Sequence, residues 1–345
     1  MLTHPHLIRA ADRLVRDQFC VAPNESVLLT VDPAADHALI DAVVQAVLRC
    51  GGKPLVALAP PLPFQGGLSD PYVGDSLAAA VVASDVWLDF CFPYHAGSRI
   101  HDAAMQARRC RYGLISLSSA QSLARLYGAV DFAALIDFNI AFMEFIADAA
   151  GQTARFTCPA GTDVSFELDA VKLKRSRACN KPGMDTVPGA QSLYPVKDSV
   201  RGRIVIQALF DERYRRLRKP ITITAAGRIT RIEGAATEDA ASFERALRRA
   251  SGTESLGTFV HFTYGFHPSA RFTGEQFIED IRLPGTNAIG MGRPWWEAGG
   301  GENHPDGIVL DQSLWIADTQ VLDEGRFVGP PALRPLHEAL TSRVD

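Results

Sequence analysis

Four short apolar runs in the first half of the chain constrain its fold more than any other feature: SVLLTVD (26–32), PLVALAP (54–60), VWLDFCF (86–92) and YGLISLS (112–118). Each has the length of one strand. The stretches between them are long enough for a helix, rich in alanine and valine after the first run, with another helical pattern starting at Arg99. Antiparallel neighbours can be joined by a two-residue turn, whereas parallel neighbours need a crossover of about a dozen residues or more. Strands that read as continuous apolar runs are buried on both faces, as parallel strands are. The pattern predicts a doubly wound parallel-sheet α/β domain. Ligands of such sheets bind beyond the carboxyl ends of the strands, and FPYHAGSRIH (92–101), with His95 and His101, follows one of those ends directly. Neither a GxGxxG turn nor a P-loop follows the first run, so no nucleotide cofactor is indicated.

The texture changes after DFAALIDFNIAFMEFIADAAG (131–151), a long helical pattern. From Thr153 onward come short strand-like pieces split by Gly, Pro and Asp, namely ARFTCPAG, VSFELDA, GRIVIQAL and ITITAAGRITRIEG. One helix follows, ASFERALRRA, and then strands again. The expected organisation is an α/β domain over 1–150 and a mostly antiparallel, barrel-like β domain over 151–345, which suits a chain of 345 residues at about 150 per domain.

Charge narrows the function. The formal net charge is -4, and the one basic stretch, RYRRLRK (213–219), reads as a solvated face, so the footprint of a nucleic-acid binder is missing. No apolar run approaches the roughly 20 residues of a membrane span, and the N-terminus reads as an amphipathic helix, which makes a cytoplasmic protein the expectation. Six cysteines without a CxxC pair read as reduced core thiols; Cys179, in RSRACNKPG, is the least core-like of them.

Chemistry-bearing residues concentrate in HFTYGFHP (261–268) and GGGENHPDGIVL (299–310). His304 and Asp306 are one residue apart, which on an extended backbone puts both side chains on one face, a compact pair of metal ligands. An imidazole from a second strand would complete two histidines and one carboxylate, the set that non-haem Fe(II) oxygenases use. Taken alone, the His-x-Asp pair reads equally well as an ordinary turn at Asp306-Gly307. His267, just before Pro268, reads as loop support, and Trp295 and Trp296 read either as the wall of an aromatic pocket or as packing.

The turn VPGAQSLYP (187–195), HFTYGFHP, PGTNAIGMG (284–292) and the final His-x-Asp-Gly resemble the M29 aminopeptidases (aminopeptidase T) and their relative, the 2,5-dihydroxypyridine 5,6-dioxygenase family. Where the peptidases carry metal ligands, the chain has Gln191, His261 and Asn287. Two cations held close together need several carboxylates, so the resemblance implies one metal, held as in the dioxygenases by His261, His304 and Asp306. It further implies Fe(II) as cofactor and O2 with a hydroxylated N-heterocycle or related aromatic as substrates, in an extradiol-type ring cleavage. His95 is implied as an acid/base that the α/β domain contributes to the cleft, and a homodimer as the assembly. An imidazole titrating near pH 6.5 suits that exchange of a ring-hydroxyl proton. The alternatives are an M29-like zinc metallohydrolase or a different reaction on the same scaffold.

Overall fold

The computed structural model describes residues 4–170, 179–234, 236–252, 255–293 and 304–341. These fall into two compact units, 4–132 with 179–188 and 133–170 with 189–341. Among the described residues no helix is long and apolar enough to cross a membrane.

The first unit is built on a five-stranded, all-parallel sheet in the order Lys53–Leu58, Ser26–Val31, Val86–Asp89, Arg111–Leu114, Gly183–Thr186. The four apolar runs are its first four strands, but the expected burial on both faces fails for Lys53–Leu58, an edge strand whose Leu55, Val56 and Leu58 are exposed. Val27, Leu28, Leu29, Trp87 and Leu88 are all but inaccessible to solvent, and burial of each such side chain contributes about 1.5–3 kcal/mol. Asp36 and Ser98 start the crossover helices His37–Arg49 and Arg99–Gln106, each accepting a backbone N–H of the first turn on its side chain. The strand order reverses between Ser26–Val31 and Val86–Asp89, so the carboxyl ends of these two strands mark the switch point at which parallel sheets bind ligands. The fifth strand, Gly183–Thr186, enters from much later in the chain. Its sequence GMDT has none of the apolar continuity that announces the other four.

The second unit is a curled antiparallel sheet, as the broken strand pattern predicts. Five neighbours matter most: Ala190–Leu193, Thr258–Gly265, Asn287–Gly292, Asp306–Val309 and Arg201–Phe210. One face of the sheet is held by aromatic rings. Phe262 stacks on Phe166 at 4.3 Å between centroids and meets Phe156 at 5.2 Å, each pair adding about 0.5–1.5 kcal/mol beyond burial. The amphipathic helix Thr237–Ser251 ends at Gly252, whose φ of 67° is the left-handed cap that glycine accepts without a Cβ penalty.

All six cysteines are free thiols; Cys91, Cys110, Cys158 and Cys179 are buried and Cys20 and Cys50 half-buried, in keeping with their reading as reduced thiols. Cys179, expected to be the least core-like, is buried like Cys91, Cys110 and Cys158.

Candidate metal centre and a buried histidine dyad

In the second unit, strand register decides which side chains meet. His261 lies opposite Gly290 on the next strand, and Gly290 lies opposite Asp306 on the strand after that. Residues directly opposite in antiparallel strands project to the same face. An imidazole and a carboxylate therefore rise on one side of the sheet with a glycine between them, and they reach each other over the middle strand. A bulge sharpens the aim: Phe259 pairs with Met291 but His261 with Gly290, leaving Val260 as the extra residue. Bulges of this kind re-aim the side chain that follows them.

His304, two residues before Asp306, brings in the third group. Its Nε2 lies 2.8 Å from Nε2 of His261, and Oδ1 of Asp306 lies 3.6 Å from the His261 nitrogen and 4.0 Å from that of His304. The point equidistant from these three atoms is about 2.1 Å from each, the length of a bond from a transition-metal dication to imidazole or carboxylate. The donor set fits such an ion. Gly290 makes it possible, because a Cβ there would sit 2.7 Å from Cδ2 of His261 and 2.8 Å from Cδ2 of His304, and nearer still to Nε2 of His261.

Burial sets the electrostatics. It lowers His261 to about 4 and, with the like charge of His261 adding to it, pushes His304 well below the ordinary imidazole value. It raises the Asp306 carboxyl to about 8. Both rings thus offer unprotonated nitrogens, and the carboxylate lacks the positive charge that would favour its ionisation. A divalent cation supplies that charge. Thr263, on the same face, places Oγ1 3.0 Å from Nδ1 of His261 and 2.7 Å from the Ser192 hydroxyl. With the ring proton on Nδ1 and donated to Thr263, Nε2 keeps its lone pair for the cluster.

Gln191 and Asn287 both pair with Tyr264, an odd number of residues from His261, and so stand on the opposite face of the sheet. Asn287 donates from Nδ2 to Oε1 of Gln312 at 3.2 Å. His267 is loop support, as expected: it is buried against Gly189 and its Nδ1 accepts from the N–H of Ser269 at 3.2 Å. Trp295 and Trp296 lie outside the described residues.

In the first unit, His95 lies just past the switch-point strand Val86–Asp89 and is fully buried. Its Nδ1 is 3.1 and 3.2 Å from the two oxygens of Asp89, and its backbone N–H donates to Oδ2 at 2.8 Å. Asp89, also fully buried, accepts further from the Thr30 hydroxyl at 2.7 Å and the Tyr112 hydroxyl at 2.9 Å. Burial opposes its ionisation, but the adjacent His95 ring and these hydrogen bonds keep the carboxyl below the usual carboxylate range. Nε2 of His95 is buried and has no hydrogen-bonding partner among the described residues. His101 sits on the buried face of its helix, edge-on to Tyr112 at 4.9 Å, with Nδ1 accepting from Gly97 N–H at 3.3 Å.

Sequence reasoning named His95, His261, His304 and Asp306; it missed Asp89, Gly290 and Thr263. A carboxylate inside the apolar run VWLDFCF and a glycine inside the apolar strand NAIGMG were the available signals, since a buried acid needs partners and a strand glycine marks a close approach.

Residues 13–329 match a family model described as 2,5-dihydroxypyridine 5,6-dioxygenase. Two solved structures share the fold. The 2,5-dihydroxypyridine dioxygenase from Pseudomonas putida KT2440 superposes with a TM-score of 0.70 at 16% identity, over 95% of this chain and 98% of that one. Wild-type AmpT from Thermus thermophilus does so with 0.62 at 14% identity, over 94% and 99%. Among curated protein sequences none matches significantly. The resemblance read from the motifs therefore holds on both sides, family and fold.

Proposed function

The chain belongs to the 2,5-dihydroxypyridine 5,6-dioxygenase family, and from that membership we propose that it is an Fe(II)-dependent dioxygenase that opens the ring of a hydroxylated N-heterocycle or related aromatic with O2. His261, His304 and Asp306 would hold the iron. The observation that carries this reading is the buried triangle of two imidazole nitrogens and one carboxylate oxygen, spaced for a single ion by strand register and kept open by a glycine. When bound, ferrous iron supplies the redox chemistry and the open coordination positions that a two-histidine, one-carboxylate set leaves for O2 and substrate.

The remaining work falls to the protein's own groups. Thr263 fixes the ring of His261 through Nδ1. His95 takes the ring-hydroxyl proton at Nε2, because Nδ1 is committed to Asp89, and returns a proton from the same atom as the product forms. Both atoms of O2 enter the product, so no external reductant is required.

Metal analysis combined with O2 uptake tests the proposal. The purified protein should carry about one iron per chain, because among the described residues of the second unit one complete donor set is seen. His304→Ala and Asp306→Ala should each lose iron and O2 uptake while staying folded, and His95→Ala should keep iron while turnover falls about 10²- to 10⁴-fold. Two tightly bound zinc ions per chain, unchanged in the His304 and Asp306 variants, would overturn the reading in favour of a hydrolase on the fold shared with AmpT.

A further inference from the structure

The buried surroundings of His95 hold a second acid whose geometry is that of a partner, not of a bystander. Asp89 meets the Nδ1 edge of His95 with both oxygens, at 3.1 and 3.2 Å, and ties the same residue's backbone N–H at 2.8 Å. Its remaining acceptor capacity is taken up by Thr30 and Tyr112 hydroxyls, and Thr30 is itself fixed by the indole N–H of Trp87 at 2.9 Å. A carboxylate surrounded by donors has no proton to give, so the hydrogen between it and His95 belongs to the ring. We infer that Asp89 is a positioning residue for the reaction: it holds His95 as the Nδ1–H tautomer, leaves Nε2 unprotonated, and offsets the charge when Nε2 takes a proton.

This inference rests on the proposed acid/base role of His95 and names the group on which that role depends. The cluster is not a better fit to a metal, although Cys91 lies close by. Every oxygen of Asp89 is already bonded, and the imidazole turns its Nδ1 edge to the carboxylate. Burial, with the charges of Asp89 and Asp32 adding to it, holds the Cys91 thiol protonated. The titratable groups around the pair are Tyr112 and His101 from the next strand and the following helix, Cys91 and Tyr94 from the same loop, and Asp32 at the end of the first strand.

Two measurements test it. In protein labelled with ¹⁵N-histidine and loaded with diamagnetic Zn²⁺, the resonance that disappears in His95→Ala should show the Nδ1–H tautomer at neutral pH; an Nε2–H tautomer would overturn the inference whatever the kinetics. In the iron enzyme, Asp89→Asn should retain iron and lose turnover by about 10²- to 10⁴-fold, as a histidine in the wrong tautomer does. Wild-type turnover in Asp89→Asn would remove Asp89 from the reaction even if the tautomer is as stated. Unchanged turnover in His95→Ala would instead sink the acid/base role of His95 itself, a result the tautomer measurement cannot mimic. Tyr112→Phe keeps the carboxylate and should keep the Nδ1–H signal, which separates loss of the charge from general damage to the cluster.

Discussion

Replacing Gly290 by alanine should abolish metal binding while leaving the sheet intact. The new Cβ would lie 2.7 and 2.8 Å from ring carbons of His261 and His304, where ordinary contact begins at 3.4 Å. The two rings must therefore retreat by roughly 0.6 Å or more, in opposite directions, to restore normal contact. That retreat opens the 2.8 Å gap between the two Nε2 atoms toward about 4 Å, and with bonds of about 2.1 Å the two nitrogens would then have to stand nearly opposite each other across an ion. Asp306 cannot complete that arrangement from the strand it sits on. An affinity loss of at least about 10²-fold follows, or about 2.7 kcal/mol. In the metal-free protein the cost is that of one overpacked methyl, about 1–3 kcal/mol. Anaerobic titration with Fe²⁺ and with Zn²⁺, and urea denaturation of the chelated protein, read the two quantities separately. The control is Ile289→Val on the same strand, whose side chain faces the other way and whose loss of one methylene should cost about 0.5–1.5 kcal/mol without touching metal affinity. If Gly290→Ala binds either metal as tightly as wild type, the three-strand construction of the site is wrong.

In the chelated protein the Asp306 carboxyl, raised to about 8 by burial, keeps a proton over a range in which an unfolded Asp, at about 3.9, has lost it. The folded state then binds more protons than the unfolded one, so stability falls as pH rises from about 4 to 8; Asp306→Asn should flatten that part of a urea-midpoint profile, and a slope equal in both proteins would refute it. Thr263→Val should weaken metal binding by about 10- to 100-fold through the freed His261 ring, measurable in the same Fe²⁺ titration, with no change taken as evidence that the hydroxyl merely fills space. Leucyl amides should not be hydrolysed, since Gln191 and Asn287 face away from His261; turnover abolished by Asn287→Ala would show that the site lies on the other face of the sheet.

The parts of this protein that could be read from its sequence are those with a local signature. Four of the five parallel strands are continuous apolar runs, and His304 and Asp306, two residues apart, bring their side chains together where the strand Asp306–Val309 begins. His261 entered through family resemblance, since nothing local distinguishes it from His267, which the fold uses as a loop support. What stayed hidden depends on pairing between distant segments. The strand Gly183–Thr186 is defined by its neighbour Arg111–Leu114, not by its own residues. The bulge at Val260 and the part played by Gly290 exist only once three strands are in register. Asp89 reads as a misplaced charge in a hydrophobic strand until Thr30, Tyr112 and His95 close around it.

The register His261–Gly290–Asp306 also bears on how this sheet would come apart. Strand Asn287–Gly292 runs beneath the two ligand-bearing strands' outstretched side chains like a plank under a buckle. An ion fastened from one outer strand to the other would stop the middle strand sliding along its length, because a slip of even two residues would thrust Ala288 or Gly292 under the clasp and pull the flanking ladders out of step. Amide hydrogens of Asn287–Gly292 should then exchange far more slowly with metal than without it, and metal supply would govern how long the folded chain survives a protease.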